Sequence, residues 1–393
     1  MKEPFSKVMG NIRLLSKTSR PYKELRRHLD RQPVGYPATL SGVELRILKE
    51  LFTVEEAEAA LNLSYKYEPS KVICTRAGQK GYDQDRIARL LESMEKKGCI
   101  MGRHTDGQTF YALHPFVLGF FEAAVNRLTP GFYTDVRRFY MEGFAMEYLT
   151  TEVPQMRVIP INKSVTPGQN VATYDRIREI VERTKDRIAV SDCICKKGKE
   201  LIGNPCTVTD RREICLYLGD YADSSSRNGW ARQVSKDEAI GILDRNEKDG
   251  LVLMSSSMQE PHVVCACCDC CCGAMEVIKT MPRPVDFAAS NYFARFNTET
   301  CTGCKACVKR CQMEAVLFDE KAKKATGIND RRCIGCGLCV PTCKAGSISL
   351  VKKDDEFIPP RDLEEFNDHL MQNKKGMGGK LARMARAIVG MKV

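Results

Sequence analysis

The chain reads as an α+β, multidomain protein, and three observations lead there. Segments with helix period alternate with segments of strand period, and no apolar run is long enough to span a membrane. Eighteen of the twenty cysteines lie after residue 192. Among them, one spacing of four occurs twice. The expected organisation is a basic N-terminal arm (1–35), a helix-and-hairpin domain with following helices (36–150), a cysteine-rich middle domain (151–292), a domain built on the repeated spacing (293–351), and a C-terminal tail with a basic amphipathic segment (352–393). A length of 393 residues suffices for several cores.

The arm sets nine Lys or Arg over residues 1–31 against Glu3, Glu24 and Asp30. That pattern suits either a solvated arm or a surface for an acidic partner. Ser41 and Glu44 have the spacing of a capping box and open a helix carrying Val43, Leu45, Ile47 and Leu48. Thr53 and Glu56 repeat the signature for a helix through Leu61, and residues 65–82 read as an insertion. Asp83 caps a third helix, with Ile87, Leu90, Leu91 and Met94 on one face and Gly98 as its stop. A hairpin follows, Ile100–Arg103 and Thr109–Leu113 around Asp106-Gly107. Three helices and a hairpin make a winged-helix-like pattern. Such folds place the third helix in the DNA major groove. Here Arg86, Arg89, Lys96 and Lys97 favour phosphate, while Asp85, Glu92 and Glu95 oppose it, so docking is favoured over DNA binding.

Residues 116–150 read as helical, with Phe120, Phe121, Phe139, Phe144 and Tyr148 as core and a break at Pro130-Gly131. A loop with strands follows over 151–170, containing Pro167 and Gly168. Ser235 and Glu238 open a further helix. In the tail, a helix is expected from Arg361 to Gln372, and Gly376, Gly378 and Gly379 then loosen the chain. Lys380, Arg383, Arg386 and Lys392 alternate with Leu381, Met384, Ile388 and Val389, which suits an anionic membrane surface, a partner, or a frayed end.

Cys301, Cys304, Cys307 and Cys311 read C-x2-C-x2-C-x3-C, and Cys333, Cys336, Cys339 and Cys343 repeat it. Thiolates suit iron–sulfur clusters, and this spacing is that of two [4Fe-4S] clusters in which the fourth cysteine of each run serves the other cluster. The expected sets are Cys301, Cys304, Cys307 with Cys343, and Cys333, Cys336, Cys339 with Cys311. Gly303, Gly335 and Gly337 let backbone N–H groups approach sulfur. A pair of zinc ribbons is the less favoured alternative. Residues 293–351 thus resemble the bacterial-type two-cluster ferredoxin domain. That family commonly has proline after each run, where this chain has Gln312 and Lys344.

Ten more cysteines lie between residues 193 and 272. Cys193, Cys195, Cys206 and Cys215 offer four thiolates around a loop with Gly198, Gly203 and Pro205. Cys265, Cys267, Cys268, Cys270, Cys271 and Cys272 form a dense run, near His262. Neighbours such as Cys267 and Cys268 point to opposite faces of an extended segment. These ten are candidate ligands for one or two further iron–sulfur clusters, or for zinc, with iron–sulfur favoured. Cys74 and Cys99 read as ordinary buried thiols. The stretches "CICKKGKELIGNPC" and "CACCDCCC", with "GYPATLSGVELRILKELFTVEEAEAAL" upstream, resemble a winged-helix, cysteine-rich and ferredoxin fusion found in anaerobic bacteria. The resemblance implies domain organisation and iron–sulfur content, and no substrate.

An N-terminus without an apolar core, and cysteines in metal-type spacing, point to the cytoplasm. The formal charge is +11, and two clusters would bring it to about +7, still a surface that steers an acidic redox protein. No G-x-G-x-x-G or P-loop appears, and no nucleophile–base pair is assignable. The function expected is single-electron transfer through two [4Fe-4S] clusters, as a component of an anaerobic oxidoreductase. The alternative is a redox-responsive winged-helix transcription regulator.

Overall fold

Part of the basic arm is packed. The computed structural model describes residues 19–164, 172–184 and 187–393. Residues 19–30 form helix α1, which buries Tyr22, Leu25 and Leu29. The rest of the arm, 1–18, lies outside the described residues, as do Pro167 and Gly168. Two compact units result, one ending at Glu147 and one beginning at Tyr148. Each mixes helix with sheet.

In the first unit, α2 (Val43–Leu51) does not use the expected capping box. Gly42 is its N-cap with φ 67°, and the Glu44 carboxylate accepts a hydrogen bond from the Thr39 hydroxyl. The second box is formed at α3 (Val54–Ala60): Thr53 Oγ1 accepts from Glu56 N–H at 3.2 Å, and Glu56 accepts from Thr53 N–H at 2.8 Å. The stretch read as an insertion holds β1 (Glu68–Pro69) and α4 (Ser70–Gln79). Only Ile73, Cys74 and Ala77 of α4 are buried, a stripe too thin to register as a helix period. Asp83 caps α5 (Gln84–Lys96) by accepting from Arg86 N–H at 2.9 Å.

Strands β2 (Ile100–Thr105) and β3 (Gln108–Leu113) pair antiparallel, and β1 joins β3 to give the order β1-β3-β2. The turn uses Asp106 and Gly107, both at positive φ, as a two-residue hairpin of matching twist requires. Pro130-Gly131 starts a helix: Thr129 accepts from Phe132 N–H at 3.1 Å, and Pro130 opens α6 (Pro130–Phe139). The Phe116 ring lies 5.1 Å from Phe139 and 5.2 Å from Phe144, so these aromatics are core. Helix α7 (Ala145–Thr150) follows.

The second unit is built on a six-stranded antiparallel sheet, order β4-β8-β9-β6-β5-β7. In chain order these and their helices are β4 (Met156–Val158), α8 (Ile177–Arg183), β5 (Ile188–Asp192), α9 (Ile194–Leu201), β6 (Glu213–Leu218), α10 (Asp220–Arg227), β7 (Arg232–Gln233), α11 (Lys236–Asp249), β8 (Val252–Ser256) and β9 (Val263–Cys267). Every residue of β8 is buried, so the sheet is covered on both faces at this strand. Ser235 caps α11, accepting from Glu238 N–H at 3.2 Å. Trp230 packs edge-on against Tyr217 and Tyr221, with centroids 5.8 and 5.3 Å away.

After α12 (Gly273–Thr280), β10 (Tyr292–Phe296) pairs with β13 (Ile348–Lys352) in continuous register. Between them lie both cysteine runs, the short helix α13 (Ala306–Arg310), and the hairpin of β11 (Val316–Asp319) and β12 (Lys324–Ile328). The tail is neither loose nor frayed. Asp362 caps α14 (Leu363–Gln372), and Gly378 and Gly379 lie inside α15 (Met377–Ile388). Phe366, Leu370 and Ala387 are buried, while Met377, Leu381, Ile388 and Val389 stay exposed. Among the described residues no helix is long and apolar enough to cross a membrane.

Candidate metal centres

The two cysteine runs share one local construction. In each, a glycine precedes the second cysteine with its backbone in the left-handed region, Gly303 at φ 73° and Gly335 at φ 70°. A Cβ on Gly303 would collide with the Lys323 carbonyl oxygen, and one on Gly335 with that of Tyr292, so only glycine fits either loop. Backbone N–H groups then donate to sulfur. Gly303 donates to Cys301 at 3.4 Å, Ala294 to Cys333 at 3.3 Å, Ala315 to Cys311 at 3.2 Å and Ser347 to Cys343 at 3.2 Å.

The last cysteine of each run leaves its own loop. Cys311 lines a cavity of about 30 Å³ together with Cys333, Cys336 and Cys339. Cys343 and Cys304 are the thiols that act electrostatically on Cys307. The two environments differ. Cys304 is exposed, and the Ala306 N–H pulls its thiol below the ordinary range. Burial pushes the Cys336 thiol up to about 12 and also raises Cys333 and Cys339. Apolar walls, N–H donors aimed at sulfur and a four-thiol donor set all fit an iron–sulfur cluster.

Residues 300–347 match the 4Fe-4S dicluster domain family. This segment is an iron–sulfur, ferredoxin-type domain. No curated protein and no solved structure matches the chain.

The ten middle cysteines are not grouped as their order in the chain suggested. Cys206 leaves Cys193, Cys195 and Cys215 and joins part of the dense run. Its sulfur lies 3.7 Å from Cys268 and 3.8 Å from Cys270, and Cys270 lies 3.4 Å from Cys268 and 3.6 Å from Cys271. These four sulfurs all fall within 4.8 Å of one another. The reason is topological. Strands β5 and β6 set Ser191 opposite Cys215, which carries Cys193 and Cys215 away together, whereas Cys206 sits in the connection between those strands. The dense run likewise splits: Cys267 ends β9, and Cys268 to Cys271 turn out of it.

Four thiolates at about 2.3 Å around one tetrahedral ion stand about 3.8 Å apart. The spacing of Cys206, Cys268, Cys270 and Cys271 matches that of four thiolates around a single tetrahedral ion. Lys196 completes the group. Its side chain is fully buried, and its ammonium donates to Cys268 at 2.6 Å and to Cys206 at 3.4 Å. The hydrogen bond from Cys271, reinforced by this ammonium, pulls the Cys268 thiol down to about 6 against the opposing effect of burial.

Gln312 joins the two regions. Its side-chain oxygen accepts from Asp269 N–H at 2.8 Å, between Cys268 and Cys270, and its amide nitrogen donates to the Gly250 carbonyl. Lys279 adds ion pairs to Asp269 at 2.7 Å and Glu314 at 2.8 Å. Proline at position 312 would have no such arm. Sequence reading missed both Lys196, which sits in a run of lysines, and the role of Gln312, whose one signal was its departure from proline. His262 packs on Tyr221 at 5.3 Å and stands outside the four-sulfur group. Cys74 and Cys99 are buried in the first unit, Cys99 donating to the Leu51 carbonyl at 3.4 Å.

Proposed function

We propose that this chain is an electron-transfer component of an anaerobic oxidoreductase. Cys301, Cys304, Cys307 and Cys343 would hold one [4Fe-4S] cluster, and Cys333, Cys336, Cys339 and Cys311 the other. Each cluster, when bound, supplies a one-electron carrier. The observation that carries this reading is the crossed placement of Cys311 and Cys343, with N–H donors on both sulfurs. The exposed Cys304 marks the side open to a partner. Lys309 and Lys344 are exposed along the same runs, so an acidic redox protein is the partner these runs would take. Cys206, Cys268, Cys270 and Cys271 would hold one zinc ion, in a closed site of structural type. Spin-quantified EPR of Cys311→Ser tests the assignment. Selective loss of one of two reduced-cluster signals supports it, and retention of both contradicts it.

A redox-responsive regulator is the second reading, and one observation favours it. The sheet order β1-β3-β2, with α4 and α5 ahead of the hairpin, is compatible with a winged-helix-like unit. The charges on α5 weigh against DNA. Lys97 is taken by Glu56 at 2.6 Å and Arg86 by Glu55, which leaves Arg89 and Lys96 among the exposed cations of α5. Docking to a protein is the role we assign to this unit. Sequence-selective, salt-sensitive retention of duplex DNA by the full chain would overturn that assignment.

A further inference from the structure

The six cysteines left over are not spare. Cys193 is in hydrogen-bonding contact with Cys195 and Cys215, Cys195 with Cys272, Cys272 with Cys267, and Cys265 with both Cys267 and Cys215. The contacts close a ring. Its members come from the end of β5, the start of α9, β6, β9 and the start of α12, so only the folded sheet assembles it. Cys193, Cys215, Cys267 and Cys272 are buried, Cys195 and Cys265 half-buried, and all six are free of disulfides.

The ring differs from the group around Cys206 in one measurable respect. Neighbouring thiols interact in turn, yet among the described residues no three of the ring lie within 4.8 Å of one another, as the Cys206 group does. A single zinc ion needs four sulfurs about 3.8 Å apart, and two zinc ions sharing six thiolates need two such sets. An iron–sulfur core instead interposes several irons and sulfides, and so holds its thiolates on a wider frame.

The surroundings favour negative charge. Cys193 and Cys272 occupy the N-cap positions of α9 and α12, so the positive ends of two helix dipoles meet the ring. The buried Lys196 ammonium lies between the two thiol groups, bonded to Cys268 and Cys206 and acting electrostatically on Cys193. This fully buried ammonium sets positive charge beside both thiol groups.

We propose that this ring binds a polynuclear iron–sulfur cluster, distinct from the two of the ferredoxin-type segment and from the single-ion group at Cys206. It deepens the electron-transfer reading by giving the second unit a third redox centre. Six thiols exceed the four corners of a cubane, which leaves two for a non-cubane core or for hydrogen bonds to sulfide.

The test is metal content of the full chain, purified without oxygen and reconstituted with ferrous iron and sulfide. The expected result is about twelve irons and one zinc, against about eight irons for two cubanes alone. Cys195→Ser with Cys267→Ser should fall to about eight irons while keeping the zinc and the ferredoxin-type EPR signals. A wild-type count of about eight irons, with the six thiols metal-free or loaded with extra zinc, overturns the ring cluster and leaves the two-cluster reading standing. A double variant that keeps all its iron also overturns it. Fewer than about eight irons in the wild type overturns both readings. Should the double variant fail to fold, the wild-type iron and zinc counts decide alone.

Discussion

The ferredoxin-type segment carries its eight thiols on two short loops, and each loop is shaped by a glycine that nothing else can replace. The middle region gathers ten thiols from two strands, two helix starts and the loops around them, and sorts them only once the six-stranded sheet has formed. One site is written in local spacing and the other in topology. The consequence is different sensitivity: the first should tolerate change in the sheet, whereas the second should fail with it.

The largest expected effect breaks the comparison at its crossing point. Cys311→Ser should remove about four of the irons, those held with Cys333, Cys336 and Cys339, and spare the set containing Cys301. Loss of the Cys301 set instead would mean that each run serves its own cluster. Next is Lys196→Met, which leaves buried thiolates without their cation. It should cost about 3–5 kcal/mol by anoxic chemical denaturation, against less than about 0.5 kcal/mol for the exposed Lys309→Met. Equal costs would contradict the role of the Lys196 ammonium as counter-charge to these sulfurs.

Gln312→Ala probes the bridge between the two regions. It should cost about 1–3 kcal/mol, because Asp269 N–H loses its acceptor, and leave the iron count unchanged. The smallest effect lies in the first unit. Thr53→Ala removes the cap of α3 and should lower stability by about 1 kcal/mol, with iron content again untouched. A change in iron in Gln312→Ala would show that the two thiol regions depend on one another, and a change in Thr53→Ala that the first unit supports the metal centres.

What was legible in the sequence follows the same division. The repeated spacing, the Thr53–Glu56 and Ser235–Glu238 caps and the Asp106-Gly107 hairpin are local features, and each reads directly from neighbouring residues. The Ser41–Glu44 pair has the right spacing, but tertiary context turned Glu44 to Thr39 and left Gly42 as the cap. Helix α4 escaped because so few of its residues are buried. Gly378 and Gly379 suggested a loose tail, yet α15 continues through them. The partner of Cys206 could not be read from chain order, because the antiparallel pairing of β5 with β6 decides which cysteines meet. Lys196 is a single apolar-environment cation within "CKKGK", and nothing local distinguishes it from Lys197.

The most direct test of the central claim is iron content combined with spin-quantified EPR on the full chain, purified without oxygen and reduced. The account predicts at least about eight irons and two interacting low-temperature cluster signals that depend on Cys307 and Cys339. A well-folded, colourless chain without iron would contradict it.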